Sequence, residues 1–346
     1  MSLEDYWRER PKRFESVVLN IADRRARAAA DIEIGAFDPS LETSLDGMEW
    51  QDQFRSALDA IKLRVLTLAQ NHTQFTEWVA VTEAIQGTPR ERANTWRALE
   101  ILIQREKRKS QTSFDFPLSS EDLEDKDNSA VNAAAELFLA DEFGLPYYFG
   151  FSKLASLASS NIEQFLWLAG ENFEEVASNA LLGRSPRLSP DRQDSIIRRA
   201  VKRAWEEIPR RVRKGRDVIY FLEAIGSLAK QETYRPSAPY AAGVTGIAIS
   251  MADRNRILQA NNATGVDLST LRDVLASALA NNLLEPILDY KCKGERWMVL
   301  NLNRFLCVHF GLPLQRGGWR EQSLLTLCDW LAHGFKPNKK DGVLIS

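Results

Sequence analysis

Residues 267–300 read DLSTLRDVLASALANNLLEPILDYKCKGERWMVL. Leu268, Leu271, Val274, Leu275, Ala278 and Leu279 recur at steps of three and four, the spacing that lines one face of an α-helix. Asp267 is placed to cap its start, Asn281, Asn282 and Pro286 mark its end, and its far face reads as polar. Two short β-favouring runs follow at once, 286–290 and 296–300, separated by Lys291, Cys292, Lys293, Gly294 and Glu295, which is a hairpin with a polar tip. A helix leading into a hairpin is the arrangement of a winged helix, a helix-turn-helix variant in which the helix before the wing enters the major groove while wing cations touch phosphates. Residues 268–283 are the expected groove-facing helix, and Lys291, Lys293 and Arg296 the expected wing contacts. Leu324, Leu327 and Trp330 share one face of a final helix over 321–331 that closes the module.

Upstream, two amphipathic helices are predicted, one carrying Ile196, Ile197, Val201 and Trp205, the other Val218, Phe221, Leu222, Ile225 and Leu228. Between and along them lies the strongest electrostatic signal in the chain: Arg184, Arg187, Arg192, Arg198, Arg199, Lys202, Arg203, Arg210, Arg211, Arg213, Lys214 and Arg216 against few carboxylates. Clustered cations neutralise phosphates and release counterions, which suits backbone binding without sequence readout. The alternative is a solvated helix face that pairs with acidic surfaces such as Glu121, Asp122, Glu124, Asp125 and Asp127.

Residues 1–30 read as an exposed helix, followed by a turn at Phe37, Asp38 and Pro39. Phe54, Leu58, Ile61, Val65 and Leu68 define an amphipathic helix, Trp78, Val81 and Ile85 a second, and Trp96, Leu99 and Ile103 a third that runs into the basic Arg105, Lys107, Arg108 and Lys109. The Ser-rich, acidic stretch around Pro117 reads as a solvated linker and a first domain boundary. Beyond it, a helix over 131–143 ends at Gly144. After the turn bearing Tyr147, Tyr148 and Phe149 and a break at Ser159, Ser160 and Asn161, Asn161 caps a helix that turns Ile162, Phe165, Leu166, Ala169, Phe173 and Val176 inward. The fold class is mainly α: N-terminal and central helical bundles with a C-terminal winged-helix domain containing a β-hairpin. The expected limits are 1–115, an acidic linker over 116–130, 131–235 and 236–346.

With 346 residues, 44% hydrophobic, 27% charged and a formal net charge of -2, the chain has an ordinary globular composition, and overall charge names no partner. Three cysteines, Cys292, Cys307 and Cys328, favour a reducing compartment over a secreted disulfide framework, so the expected address is cytoplasmic. The N-terminus lacks the apolar core of a signal peptide, and no uncharged stretch approaches the roughly 20 residues that span a bilayer.

Two stretches, KLASLASSNIEQFLWLAGENFEE at 153–175 and LNLNRFLCVHFGLPLQRGGWREQSLLTL at 300–327, resemble the lid and C-terminal winged-helix parts of bacterial AAA ATPases related to replication-initiator and origin-recognition proteins. The likeness covers roughly the last 200 residues, makes 131–235 lid-like, and leaves the first 130 residues without a counterpart. That family's lid helix often presents an arginine to nucleotide, whereas Ile162, Glu163 and Gln164 stand here after Asn161. A Walker A loop needs Gly-Lys-Ser or Gly-Lys-Thr around the phosphates, and no glycine in the chain precedes a lysine. The expectation is therefore the C-terminal portion of a longer ATPase, or a stand-alone relative acting beside one.

Other chemistry is thinly encoded. Cys307, His309, Cys328 and His333 lie close in sequence but match no common zinc spacing, and core packing is the expected use of both cysteines. Asp289 and Lys291 form an Asp-x-Lys fragment of a metal-nuclease pattern that needs a further converging carboxylate, for which Glu285 or Glu295 could serve only by accident. No Gly-x-Ser-x-Gly elbow occurs. The leading reading is a non-catalytic DNA-binding accessory protein with no cofactor or metal, working with an ATPase. The alternatives are an interaction scaffold that docks a protein through the winged helix, and a metal-dependent nuclease.

Overall fold

The computed structural model describes residues 6–7, 9–33, 40–46, 52–70, 72–112, 128–235, 243–259, 268–292, 294–315 and 318–336. The turn at Phe37, Asp38 and Pro39, the acidic run from Glu121 to Asp127, the cap Asp267 and the wing-tip Lys293 lie outside these residues. The protein is mainly α with a C-terminal α+β part. It gathers into two compact units, one through Ile197 and one from Arg198.

The first unit holds α1 (Pro11–Glu33), α2 (Leu41–Ser44), α3 (Phe54–Ala69), α4 (Thr76–Ala84), α5 (Pro89–Thr112), α6 (Asn128–Phe143), α7 (Phe151–Leu157), α8 (Ile162–Leu181) and the start of α9 (Pro190–Arg211). Helix α5 packs on both α3 and α6, so residues on the two sides of the acidic segment share one core: Leu58, Ile61, Val65, Trp78, Trp96, Leu99, Ile103 and Leu139. The N-terminal helix is not the exposed rod that its charge suggests. Phe14, Val18, Ala22 and Ala26, one turn apart each, are buried, and α1 packs against α8. Val81 and Ile85 also depart from expectation, at 55% and 43% exposed. Helix α4 turns Trp78 and Thr82 inward instead, and Ile85 lies past its end.

Asn161 caps α8 as expected, its side chain accepting from the Gln164 N–H at 3.0 Å. The buried stripe of α8 is Phe165, Leu168, Ala169, Asn172 and Val176, while Leu166 and Phe173 are only half-buried. The turn before α7 is pinned by α9. Asp194 accepts from the N–H groups of Tyr147 and Tyr148 at 3.1 and 2.9 Å, and Gln193 from that of Gly150 at 2.8 Å.

The second unit contains the rest of α9, then α10 (Gly215–Thr233), β1 (Val244–Ser250), α11 (Met251–Gln259), α12 (Ser269–Ala280), β2 (Leu284–Cys292), β3 (Glu295–Leu302), α13 (Arg304–Phe310), β4 (Gly318–Glu321) and α14 (Leu324–His333). The sheet order is β2-β3-β1-β4, with β3 antiparallel to both neighbours and β4 parallel to β1. The expected hairpin is present, and its second strand is also paired with β1 inside a larger sheet. Leu324, Leu327 and Trp330 of α14 are buried as their spacing requires.

Gly246 in β1 sits where a Cβ would fall 2.5 Å from the Leu300 carbonyl oxygen of β3. Gly246→Ala is therefore expected to destabilise the second unit by about 2 kcal/mol. A urea transition of the second unit with an unchanged midpoint would contradict the β1–β3 register.

Candidate nucleic-acid interface

Helix α9 is amphipathic in a way that sorts its charges. Ile197, Ala200, Val201, Trp205 and Ile208 are buried, and the opposite face carries the cations. Within the second unit Trp205 stacks on His309 of α13 at 4.2 Å and 20°, and meets Phe310 edge-on at 5.5 Å. Partial burial against these rings lowers the His309 imidazole pKa from its ordinary value.

Residues 198–216 contain nine Lys and Arg against two carboxylates. Arg198, Arg199, Lys202, Arg203, Arg210, Arg211, Arg213, Lys214 and Arg216 are all exposed. Arg211 pairs with Glu207 at 3.1 Å, and Lys214 approaches Asp217 at 4.0 Å. Arg199, Lys202, Arg210 and Arg216 make no ion pair among the described residues. Their charge is uncompensated. Of the remaining arginines in the basic run, Arg192 belongs to the first unit and is held by Glu175 in a two-pronged pair at 2.8 and 2.7 Å, which makes it a structural cation.

The turn between α9 and α10 is sharp. Lys214 is left-handed at φ 58°, and Gly215 lies where a Cβ would meet the Ile208 carbonyl at 2.4 Å, so only glycine fits there. From this turn Arg213 reaches Asp273 of α12 at 3.5 Å, which brings the end of the basic stripe beside the helix that precedes the hairpin. Helix α12 buries Leu271, Val274, Leu275 and Ala278 as its periodicity requires. Its outer face is less polar than expected: Arg272, Ala276 and Ala280 are exposed, with Ser269 and Asp273 half-buried. Arg272, its one cation, is a surface candidate that the apolar-pattern reading passed over.

In the hairpin Lys291 and Arg296 are exposed and stand opposite each other across the two strands. They share a face with Met298 and Leu300, whose β1 partners are Ile249 and Ile247. On the same face Arg320, the partner of Ile247, reaches Glu232 of α10 at 2.6 Å, so the two hairpin cations lie on the helix-covered side of the sheet. Arg296 grips Asp289 through Nε–Oδ1 at 2.5 Å and Nη2–Oδ2 at 2.7 Å, and this pair holds the Asp289 carboxyl below the usual carboxylate range. Both Asp289 oxygens are thus engaged by an arginine.

No group of three or more His, Cys, Asp or Glu is placed to hold a metal ion among the described residues. Cys307 is buried, and burial with the nearby Glu285 pushes its thiol up to about 12, a protonated core side chain. Cys328 is half-buried.

A helical unit is followed by an α+β unit, and the exposed cations of α9 lie at the start of the second. The chain belongs to the ORC-CDC6-like family, which it matches over residues 5–321. The match takes in nearly all of the N-terminal stretch that motif resemblance had left without a counterpart. Neither a curated protein nor a solved structure matches the chain. No helix among the described residues is long and apolar enough to cross a membrane.

Proposed function

We propose that the second unit is a winged helix that binds duplex DNA through its backbone, as a non-catalytic partner of an ATPase. The order α10, β1, α11, α12, β2, β3 gives a three-helix frame in which α12 precedes a hairpin, which is the helix-turn-helix variant with a wing. The observation that carries the reading is the set of uncompensated cations on α9 and α10, Arg199, Lys202, Arg210 and Arg216, running to a turn that touches α12. Lys291 adds positive charge on the helix side of the sheet beside the Arg296–Asp289 pair, and the small Ala276 and Ala280 let α12 approach a groove closely. The absence of any Gly-Lys in the full chain supports assigning nucleotide hydrolysis to another protein. The three free cysteines fit a reducing, cytoplasmic setting.

The wing is tested by Lys291→Gln, Lys293→Gln and Arg296→Gln together. Duplex affinity is expected to fall about tenfold at 0.1 M salt, with thermal unfolding unchanged. Undiminished binding by the triple variant would remove the wing from the interface.

A further inference from the structure

The hairpin has a second side, and its chemistry is the reverse of the first. Strand register places every Lys and Arg of the four strands, Lys291, Arg296 and Arg320, on the face that the helices cover. The other face carries an aromatic cluster over Ala248 and Val299. Tyr290 meets Trp319 edge-to-face at 6.0 Å, and Trp319 lies 5.6 Å from Trp297. Trp297 is buried, Trp319 is half-buried and Tyr290 is 40% exposed. Glu295, opposite Cys292 of this cluster, and Glu321, opposite Ala248, belong to the same face. Both are exposed, and neither makes an ion pair among the described residues.

We infer that this outer sheet face is a docking surface for an arginine-bearing segment of a separate protein partner. An open tyrosine or tryptophan ring attracts a guanidinium through its quadrupole, and a flanking carboxylate adds charge and a fork-shaped acceptor. Tyrosine and tryptophan set in a patch rimmed by charge are also the residue types that anchor protein interfaces. The same two unpaired carboxylates repel phosphate, so nucleic acid is the wrong occupant for this side. The hairpin thereby separates its partners: cations toward the helix side, an acidic aromatic platform on the other. This assignment is independent of the DNA reading, since it uses none of the same residues.

The test uses the full chain and a fluorescein-labelled peptide of six Arg-Gly repeats, with binding read by anisotropy. Glu295→Lys with Glu321→Lys is expected to weaken peptide binding at least tenfold, and Tyr290→Leu, which keeps apolar cover but removes the ring, about threefold to tenfold. Duplex DNA affinity of the same variants should be equal or higher. Circular-dichroism melts confirm the fold, which these exposed positions should leave intact. A control reversal at Glu77 and Glu174, exposed carboxylates of the first unit, should leave peptide affinity unchanged. The inference is overturned if the wild-type chain does not bind the peptide, if the control reversal weakens it as much, or if Glu295→Lys with Glu321→Lys abolishes duplex binding instead. Salt-sensitive self-association lost in that double variant would make a second copy the occupant and likewise overturn a separate partner.

Discussion

Replacing Arg199, Lys202, Arg210 and Arg216 together with glutamine is expected to lower duplex affinity roughly a hundredfold at 0.1 M salt and to flatten the log–log salt dependence by about 3 to 4. These four are chosen because no carboxylate among the described residues compensates them, so their full charge is available to phosphate. Arg211, paired with Glu207, should matter less. All four side chains are exposed, so unfolding midpoints should shift little, by less than about 0.5 kcal/mol per site. Anisotropy titrations at several salt concentrations give affinity and slope together. A slope unchanged by the fourfold substitution would mean that the stripe is a solvated face with no phosphate contacts.

The second large effect concerns the frame of the first unit. Glu136 of α6 accepts from Arg90 at 2.5 Å and from Lys153 at 2.6 Å, while Lys153 Nζ lies 3.7 Å over the Tyr147 ring and Arg90 4.4 Å over that of Phe149. Burial alone would raise the Glu136 pKa, but the two cations hold it below the ordinary carboxylate value. Glu136→Ala strands both cations in an aromatic setting and is expected to cost about 3 to 5 kcal/mol. Glu136→Leu combined with Lys153→Met should recover part of that loss, since only one of the two cations, Arg90, is then left unpaired. The pH dependence follows from the sign of the shift. With the folded pKa depressed, the contribution of Glu136 is complete above its unfolded value near 4.5 and drains away as pH falls through the lower folded value. Urea melts of the wild type should therefore weaken below about pH 4.5, and those of the Leu/Met double variant should lack that component. A Glu136→Ala chain as stable as the wild type would show that this cluster does not hold the unit together.

What the sequence made legible follows the physics of each element. Helices that bury one stripe announce it, which is why Phe54 to Val65, Ile196 to Trp205 and Leu271 to Ala278 were readable by spacing alone. Strand β1 was not, because Val244 to Ser250 shows no apolar/polar alternation: Gly246 and Ala248 on the outer face are small, Ala248 lies under the aromatic cluster, and burial is unbroken over Val244 to Ile249. Strand β4, with four residues, and the short α11 and α13 carry too little pattern to register. Without β1 and β4 the sequence shows only the hairpin of a wing, and the register that sorts its two chemically opposite faces is not legible. Of the candidate interface, the cations themselves were legible. Which of them are spent on carboxylates, as Arg296 is on Asp289 and Arg192 on Glu175, is decided by contacts that composition does not encode. The N-terminal helix misled for a related reason: Arg13, Arg24, Arg25 and Arg27 face solvent around a stripe of Phe14, Val18, Ala22 and Ala26 in which alanine is a weak signal of burial.

The central claim is that the second unit binds nucleic-acid backbone. Its most direct test is the binding of the purified chain to a labelled random-sequence duplex by fluorescence anisotropy, between low and near-physiological salt. The expected result is binding whose log affinity falls against log salt with a slope of about -5 to -6, matching the phosphate contacts of stripe and wing together. No binding even at low salt would contradict it and leave the protein-docking scaffold as the function of the fold.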